Sequence, residues 1–513
     1  METSKANDSQ PKKELRTFFL DLVVLICGAI VMIYEITGSR VVAPFIGTST
    51  YIWTSLIGVI LGALSLGYWL GGRTADRMPK KSVLATAILT AAGLIALTTL
   101  VKDVFLTAVA AFPAGLELKA VTAALVLFAP ASVALGFVVP YAVKLRMESV
   151  VEAGRTVGRL YAVSTIGSIV GTFAAGFFLM PFLGTNRTLY LITGLLFLST
   201  FLLIPFRVDR KAAYVIVVLA FAIAANELMS YAMYRTIAFE DIDTQYSRVR
   251  VFSTTDPETG RPIDAMTFDP HSTQSAIFAD SDELVFEYTK FYHLVAALVP
   301  DLQRALMIGG AGYSFPKAFL ADYPDAKLDV VEIDPELTGI ARRRFRLKDD
   351  PRLRIFHEDG RVFLNRSEGG YDAVLIDAFG SLFSVPYQLT TTESVAEAYR
   401  VLGGDGVVIL NLGSAIRGDS SLFLQAELAT YRNRFPNVYL FKVKPERRDD
   451  ELQNLIIVAC KRECMPTLPP ESQLIASLLS RRYEAEVPLT VPSLTDDLAP
   501  VDRYMSIAKS QTR

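Results

Sequence analysis

The sequence predicts a multi-pass α-helical membrane bundle followed by a doubly wound α/β domain with a small β-element at its start. From Phe18 to about Tyr231 long apolar runs recur, and the mean hydropathy of the chain is positive, at +0.34. From Glu240 onward charged residues are frequent, and short strand patterns alternate with helical ones. We therefore divide the chain into a disordered N-terminus (1–15), a transmembrane domain (16–235), a β-element with a linking helix (240–300) and an α/β domain with a C-terminal tail (301–513).

About seven apolar segments of the N-terminal half are each long enough to cross the hydrocarbon core of a bilayer, which takes roughly 20 residues. They lie near 17–37, 51–71, 82–101, 119–143, 157–182, 187–206 and 211–232. The first has no small-residue cleavage site at the expected distance, so we expect a retained membrane helix. The fifth contains Gly167 and Gly171, a G-x-x-x-G step that favours close packing of helix backbones within the bundle.

Basic residues fall in alternate loops of this bundle. They are Lys12, Lys13 and Arg16 before the first segment, Arg73, Arg77, Lys80 and Lys81 after the second, Lys144, Arg146 and Arg155 after the fourth, and Arg207, Arg210 and Lys211 after the sixth. The positive-inside rule places these ends in the cytoplasm. Seven crossings would put the C-terminal domain outside, and the sequence leaves open whether one segment fails to cross or the domain works outside the cytosol.

Isolated charges and cysteines give weaker signals. Glu35, Arg40 and Glu227 are ionisable groups at or near membrane depth, which makes each a functional candidate, although an ion pair of Glu35 with Arg40 near the interface is the favoured alternative. The net charge of −2 gives no argument for a nucleic-acid partner. The three cysteines form no C-x-x-C pair and no His/Cys cluster, so we expect neither a disulfide nor a metal site.

The strands of the α/β domain end in glycines and acids, and ligands of doubly wound sheets bind at these carboxyl ends. The first strand ends in the turn Gly309-Gly310-Ala311-Gly312, which lacks the third glycine of a dinucleotide fingerprint. Glu332 follows at about the 20-residue distance at which an acid accepts hydrogen bonds from ribose hydroxyls. Asp359 is placed to accept from an exocyclic amine such as that of adenine, and Asp377 ends the next strand. Each acid alone is more often a cap or turn residue, but three in succession favour an adenosine-containing ligand.

These residues, in this order, resemble the polyamine aminopropyltransferases (the spermidine synthase family), and more closely its bacterial membrane-fused branch. The resemblance covers nearly the whole chain. It rests on YEITGSRVVAPFIGTSTYIWTS and LGYWLGGRTADR in the membrane half, and on DTQYS, FYH, MIGGAG, VEID, HEDGR, LIDAF and LTDDLAP in the soluble half. It implies a Rossmann-like domain of the class I methyltransferase type, decarboxylated S-adenosylmethionine as the aminopropyl donor, and methylthioadenosine as the by-product.

The resemblance also assigns roles to individual residues. It places Gln245, Gly309, Gly310, Glu332, Asp359 and Gly360 at the nucleoside of the donor, Asp377 as the acid/base, and Tyr246, Tyr292 and His293 near the amine substrate. An amine resembles lysine, with a pKa near 10.4, and is mostly protonated at neutral pH. A carboxylate beside it can hold the ammonium group and accept its proton, and no metal is required.

Two departures from the family concern the amine. Soluble members have aspartates where this chain has Gly312 and Gly380, and both contact the cationic amine in the family. Recognition of a diamine therefore does not follow from the resemblance. Asp496 and Asp497 would replace the missing charge if the tail folds over the site; a loop with a helix cap is the equal alternative.

Three functions remain in contention. The first is a membrane-anchored aminopropyltransferase acting on a polyamine or on a lipid-soluble amine. The second is a methyltransferase using S-adenosylmethionine itself, since Gly312 removes a charge that would repel the extra carboxylate of that cofactor. The third is a transporter or sensor that binds a nucleoside or polyamine without turnover. In the favoured case we expect a homodimer in the bacterial inner membrane, with an amine substrate, membrane lipid and no nucleic acid as partners.

Overall fold

The computed structural model describes residues 10–47, 49–147, 149–204, 210–268, 273–379, 385–466 and 471–511. The chain forms two compact units. The first comprises Met1–Arg235 with Ile242–Arg248, and the second comprises Thr236–Asp241 with Val249–Arg513.

The first unit is a bundle of helices. They are α1 (Gln10–Ile46), α2 (Thr50–Arg77), α3 (Lys81–Ala111), α4 (Leu116–Leu127), α5 (Ala129–Gly136), α6 (Val138–Arg146), α7 (Ala153–Ala174), α8 (Met180–Leu203) and α9 (Arg210–Ile237), with a π-helical turn (Ala175–Leu179) between α7 and α8 and a 3₁₀ turn (Val150–Glu152) before α7. By length and composition, five of the described helices could cross a membrane, or six if the bent run from α4 to α6 is counted as one span.

One of those five candidate spans extends from Ala153 to Leu203, which is 51 residues. At 1.5 Å per residue this is roughly 77 Å of helix, more than twice the thickness of a hydrocarbon core. Gly184 lies inside it with a left-handed φ of 73° and a ψ of −177°, which no α-helical residue adopts. The predicted segments 157–182 and 187–206 therefore lie on either side of a break at Gly184.

The G-x-x-x-G step packs α7 against α1. A Cβ added to Gly167 would overlap the backbone of Leu25, and one added to Gly171 would overlap the backbone of Ala29. Both glycines are buried within the bundle. The step therefore joins helices of the same chain, as small residues at this spacing do where backbones approach closely.

The second unit begins with a four-stranded sheet in the order β1-β2-β3-β4. Its strands are β1 (Glu240–Asp243), β2 (Arg248–Thr255), β3 (Pro262–Thr267) and β4 (Ser275–Phe278), and β3 pairs antiparallel with both β2 and β4. Three short helical segments follow: α10 (Glu287–Lys290), a 3₁₀ turn (Phe291–Leu294) and α11 (Val295–Leu298).

The main sheet has eight strands. They are β5 (Arg304–Ile308), β6 (Lys327–Val331), β7 (Leu353–Phe356), β8 (Tyr371–Ile376), β9 (Leu402–Ser414), β10 (Asn437–Lys442), β11 (Gln453–Cys460) and β12 (Arg482–Tyr483). The helices around it are α12 (Ser314–Asp322), α13 (Pro335–Arg344), α14 (Gly360–Arg366), α15 (Thr392–Val401), α16 (Leu422–Arg432), α17 (Gln473–Leu479) and α18 (Val501–Gln511).

The strand order is β12-β10-β11-β9-β8-β5-β6-β7. Neighbours from β7 to β9 are parallel, whereas β11 runs antiparallel to β9 and to β10. The chain winds outward from β5 through β6 to β7, and then returns to the other side of β5 with β8. Two neighbouring strands thus diverge at β5 and β8, which is the switch point where such sheets bind ligands. The predicted doubly wound, methyltransferase-type Rossmann fold is confirmed.

The expectation that no disulfide forms is wrong, because Cys460 and Cys464 are bonded to each other. Cys460 ends β11, and the chain turns through Lys461–Glu463 so that the two Cα atoms lie 6.2 Å apart, within the usual range for a disulfide. The short turn after the strand, and not a spacing motif, brings the two thiols together.

Candidate active site

The glycine turn after β5 is held by the side chain of Glu332. One of its carboxylate oxygens, Oε2, accepts hydrogen bonds from the backbone N–H groups of Gly310 (2.8 Å) and Ala311 (2.9 Å), and Oε1 accepts from Asp334 N (3.0 Å). Burial raises the pKa of Glu332, and the three backbone N–H groups oppose that shift by stabilising the ionised form. The carboxylate therefore fixes the conformation of the turn and lies beside it at the carboxyl edge of the sheet.

Gly309 needs to be glycine for two reasons. Its φ is +95°, in the region that favours glycine, and a Cβ there would lie 2.5 Å from the carbonyl oxygen of Asp377. The backbone of β5 and β8 continues to pair at this point, since Asp377 N donates to Ile308 O at 2.9 Å. The glycine turn and Asp377 are therefore adjacent at the switch point.

The Asp377 carboxylate is surrounded by hydrogen-bond donors. Asn411 Nδ2 donates to its Oδ1 at 3.2 Å, and the hydroxyl of Tyr288 lies 3.5 Å from its Oδ2. Asn411 is itself oriented by Asn454, whose Nδ2 donates to Asn411 Oδ1 at 3.0 Å. Burial raises the pKa of Asp377 to about 6, while the hydrogen bonds from Asn411 and Tyr288 act in the opposite direction. The group is thus ionised at neutral pH but close to its titration midpoint, which suits a proton acceptor.

Sequence reasoning missed Tyr288 and Asn411. Tyr288 precedes Tyr292 by one helical turn, so both face the same side of the linking helix, and that spacing was the available signal. Asn411 is a polar residue within the apolar run of β9 (GVVILNL), where a buried amide needs a partner. Burial and the nearby Asp377 charge raise the pKa of Tyr288 well above its usual value, so its hydroxyl stays protonated and acts as a donor to the carboxylate.

A small cleft lies between these groups. Its lining combines the glycine turn (Gly309, Gly310, Ala311), Asp377, Tyr288, Thr289, Ser275, Ala276, Ser314 and a set of apolar residues: Val285, Phe286, Met307, Phe315 and Pro316. The carboxylate of Asp377 is the acidic side chain of this lining. Its apolar part comes from Val285 and Phe286 before α10, Met307 of β5, and Phe315 and Pro316 of α12, whereas α10 itself contributes the polar Tyr288 and Thr289.

Asp359 and Gly360 form the next strand end. Asp359 caps α14, with its Oδ1 accepting from Arg361 N (2.8 Å) and Val362 N (3.1 Å), and its Oδ2 accepts from Gln388 Nε2 at 3.2 Å. Gly360 is buried, and a Cβ there would lie 2.6 Å from Ile308 Cγ2. The structure therefore gives Asp359 the cap role that the sequence named as the alternative, and leaves one of its oxygens with only a side-chain amide as partner.

The structure places Gln245 and Tyr246 in the first unit, within the segment Ile242–Arg248. Arg40 donates to the backbone carbonyl of Gln245, and Tyr246 N donates to Thr244 Oγ1 at 3.1 Å within a tight turn. The side chain of Tyr246 is 46% exposed. Their proposed contacts with donor and amine stay predictions.

Tyr292 and His293 lie behind the cleft. Tyr292 is completely buried, and its hydroxyl donates to the carbonyl of Ile376, the residue before Asp377, at 3.1 Å. The His293 ring packs against Phe315, and its Nδ1 lies 3.3 Å from the hydroxyl of Tyr323. Burial lowers the pKa of His293. In this arrangement Tyr292 supports the strand end that carries Asp377, and His293 supports the wall formed by Phe315.

Asp496 and Asp497 lie in the C-terminal tail, shortly before α18. Asp496 accepts from Arg361 Nη2 at 3.0 Å and from Thr391 Oγ1 at 2.6 Å, and it pairs with the charge of Arg361. Asp497 is exposed. The structure thus gives Asp496 an ion-pair partner on α14, and neither residue lines the described cleft.

Gly312 is buried against the β-element. Its N–H donates to Ser275 Oγ at 3.1 Å, and a Cβ there would lie 2.8 Å from the side chain of Ser275. An acidic side chain at this position would not fit beside Ser275. The other departure, Gly380, lies outside the described residues. Within the described part of the chain, no group of three or more His, Cys, Asp or Glu residues is placed to hold a metal ion.

Comparison with known proteins finds relatives of part of this chain. No protein-family model matches the chain. The polyamine aminopropyltransferase of Vibrio vulnificus (strain CMCP6) is 29% identical over 235 residues, which cover 45% of this chain and 76% of that protein. The polyamine aminopropyltransferase of Streptococcus uberis is 34% identical over 143 residues, which cover 27% of this chain and 49% of that protein. This chain therefore spans about three quarters of one relative and about half of the other.

Among solved structures, a probable spermidine synthase from Corynebacterium glutamicum ATCC 13032 has a TM-score of 0.39 and 22% identity, covering 51% of this chain and 91% of that one. The curated relatives agree with the resemblance that the motifs imply. This chain is a spermidine synthase-like protein and a transferase enzyme.

Proposed function

We propose that the protein is a membrane-anchored aminopropyltransferase that moves the aminopropyl group of decarboxylated S-adenosylmethionine to an amine and releases methylthioadenosine. The observation that carries the proposal is the position of Asp377. Its carboxylate has a pKa of about 6, it is oriented by Asn411 and Tyr288, and it lies at the switch point beside the glycine turn.

The nucleoside of the donor fits the groups beside that turn. Each oxygen of a carboxylate has two acceptor positions, so Glu332 retains acceptor capacity for ribose hydroxyls after it holds the turn. Asp359 Oδ2 is available to the exocyclic amine of adenine together with Gln388. Gly360 lets the backbone after β7 pack closely against Ile308, because a side chain there would collide with Ile308. These groups would bind the donor with its sulfonium directed towards Asp377.

The transfer step needs a free amine. The acceptor enters as an ammonium ion, and the Asp377 carboxylate takes one proton from its nitrogen. The nitrogen lone pair then attacks the aminopropyl carbon bonded to sulfur, a C–N bond forms, the C–S bond breaks, and its electron pair stays on the sulfur of methylthioadenosine. Holding the two reactants in line contributes to the rate in addition to the proton transfer.

The residues that line the cleft indicate which kind of amine acceptor it would bind. Gly312 supplies no carboxylate, and Val285, Phe286 and Phe315 form an apolar part of the cleft wall. A second ammonium group would be desolvated against this wall without a counter-charge, which is costly. We therefore propose an acceptor with one reactive amine and an apolar remainder, in agreement with an enzyme anchored by its bundle in the bacterial inner membrane. A homodimer stays a prediction.

Product analysis with purified protein tests the proposal. The detergent-solubilised protein is incubated with decarboxylated S-adenosylmethionine or with S-adenosylmethionine, each with putrescine, spermidine, long-chain alkylamines or a membrane lipid extract. We expect methylthioadenosine from the decarboxylated donor alone, and faster release with alkylamines than with putrescine. Adenosylhomocysteine from the second donor would instead show a methyltransferase. Tight binding of methylthioadenosine with no product from either donor would exclude catalysis and favour a sensor or transporter.

A further inference from the structure

The helical bundle has a basic end. Two arginines, Arg146 of α6 and Arg159 of α7, bind the carboxylate of Asp21 in α1. Lys144 pairs with Asp76 at 2.8 Å, and Lys80 N lies 3.2 Å from the hydroxyl of Tyr141. The same ends of these helices carry Arg73, Arg77, Lys81 and Arg155. By the positive-inside rule, this end faces the cytoplasm.

The chain leaves the bundle at the opposite end. In the exit segment, which we define as Ile242–Arg248, Asp243 accepts from Thr185 N at 2.8 Å, directly after the break at Gly184. Arg40 donates to the carbonyl of Gln245, and Arg248 lies 3.7 Å from Asp103 near the end of α3. All of these contacts lie within the first unit.

The distance between the basic end and the exit end of the bundle matches the thickness of the hydrocarbon core of a bilayer. Asp21 and Arg40 lie on the same helix, α1, and the stretch between them is roughly 28 Å long at 1.5 Å per residue. A hydrocarbon core is about 30 Å thick. Basic residues are fewer at the exit end, where they are Arg40, Lys102, Lys119, Arg187, Arg235 and Arg248. The number of spans does not change this assignment, because the contacts of the exit segment themselves identify the end at which the chain leaves the bundle.

The disulfide is an independent observation that also bears on the side of the membrane at which the second unit lies. Cys460 and Cys464 are bonded in the second unit, and disulfides persist outside the cytosol but are rare within it. Beyond Ile237, the described residues contain no further helix that could cross a membrane.

We infer that the α/β unit works on the non-cytoplasmic side of the membrane. Combined with the proposed function, this places an export step before the reaction. A sulfonium nucleoside has a fixed positive charge, which does not enter hydrocarbon without a large free-energy cost. A donor assembled in the cytosol must therefore be carried across the membrane, and the amine acceptor is met in the outer leaflet or in the space beyond it.

Cysteine labelling in cells tests the side directly. Glu368, exposed in the turn after α14, and Glu152, exposed at the basic end, are each replaced in a Cys27→Ser background. Spheroplasts are treated with a membrane-impermeant maleimide. We expect Glu368→Cys to react in intact spheroplasts and Glu152→Cys to react only after lysis. The reverse pattern would overturn the inference.

The wild-type protein provides a second test that needs no variant. Cells are quenched in acid, and the protein is alkylated under denaturing conditions with and without a reductant. A non-cytoplasmic unit predicts one alkylated cysteine without reductant and all three with it. Three alkylated cysteines without reductant would place the unit in the cytosol. Neither test measures turnover, so failure here would leave the proposed activity standing.

Discussion

Replacing Asp377 by asparagine removes the proposed proton acceptor and preserves its shape. The amide oxygen of Asp377→Asn can still accept from Asn411 Nδ2, and its NH₂ group can donate to the hydroxyl oxygen of Tyr288. No buried polar atom is therefore left without a partner, and we expect the melting temperature to change little. The variant separates the chemistry of the carboxylate from its contribution to the fold.

The expected loss of activity in Asp377→Asn follows from the pKa of Asp377, which is about 6. At pH 7 about nine tenths of the wild-type carboxylates are ionised and able to accept a proton. A positioned general base contributes about 10²- to 10⁴-fold, so we expect kcat to fall by that factor. In free energy this is roughly 3 to 5 kcal/mol of lost transition-state stabilisation.

The assay is the initial rate of methylthioadenosine release between pH 5 and pH 8. Without the carboxylate the reaction needs the acceptor as a free amine, so the rate of the variant should rise steadily with pH, whereas the wild type, which binds the ammonium ion, should show a bend. In the wild type the slope of kcat/KM should decrease near pH 6, where Asp377 becomes ionised. The variant should show no bend there, with an unchanged Kd for methylthioadenosine as the control. A variant within tenfold of the wild type, or one that keeps the bend, would refute the assignment.

Three further substitutions probe the same region. Tyr288→Phe removes a hydrogen bond that lowers the pKa of Asp377, so the bend in the pH profile should move to higher pH; a shift to lower pH would contradict the contact. Glu332→Gln places an amide NH₂ group where a carboxylate oxygen now accepts from backbone N–H groups. We expect the Kd for methylthioadenosine, measured by calorimetry, to rise at least tenfold, while the bend in the pH profile that is assigned to Asp377 stays in place. Asp329→Ala removes the buried acceptor of Tyr371 and the shared partner of the partly exposed Arg304 and Arg354, and it should cost about 1 to 3 kcal/mol of unfolding free energy, against about 0.5 kcal/mol or less for the exposed control Asp325→Ala. Burial alone would raise the pKa of Asp329, but the hydrogen bonds from Arg354, Tyr371 and Arg304 hold that pKa below its usual range. The stabilisation by Asp329 is therefore present at neutral pH and is lost as the pH falls through the lowered pKa. An equal loss of unfolding free energy in both variants at pH 7 would contradict this account.

The fold and the donor half of the site were accessible from the sequence because both depend on local patterns. Parallel buried strands give short apolar runs, and their carboxyl ends meet at one edge, so Gly309, Glu332 and Asp377 could be grouped without coordinates. The acceptor half depends on long-range pairing. Asn411 receives its orienting partner, Asn454, from an antiparallel strand inserted next to β9, which no local pattern indicates.

Two other features needed the three-dimensional structure for a similar reason. The Cys460–Cys464 bond depends on how the chain turns after β11, and a spacing rule does not contain that information. The position of Gln245 depends on the exit segment, which packs with the bundle although it follows the last long helix in the sequence. Motif order assigned it to the nucleoside site, and that role stays a prediction.

The most direct test of the account follows the transferred group itself. Decarboxylated S-adenosylmethionine with ¹⁵N in its aminopropyl amine is given to the purified protein with the best acceptor from the product screen. Mass spectrometry then quantifies methylthioadenosine and the labelled acceptor. The account predicts equal amounts of the two products, both abolished in Asp377→Asn. Methylthioadenosine without a labelled acceptor, or a labelled acceptor formed equally well by the variant, would contradict it.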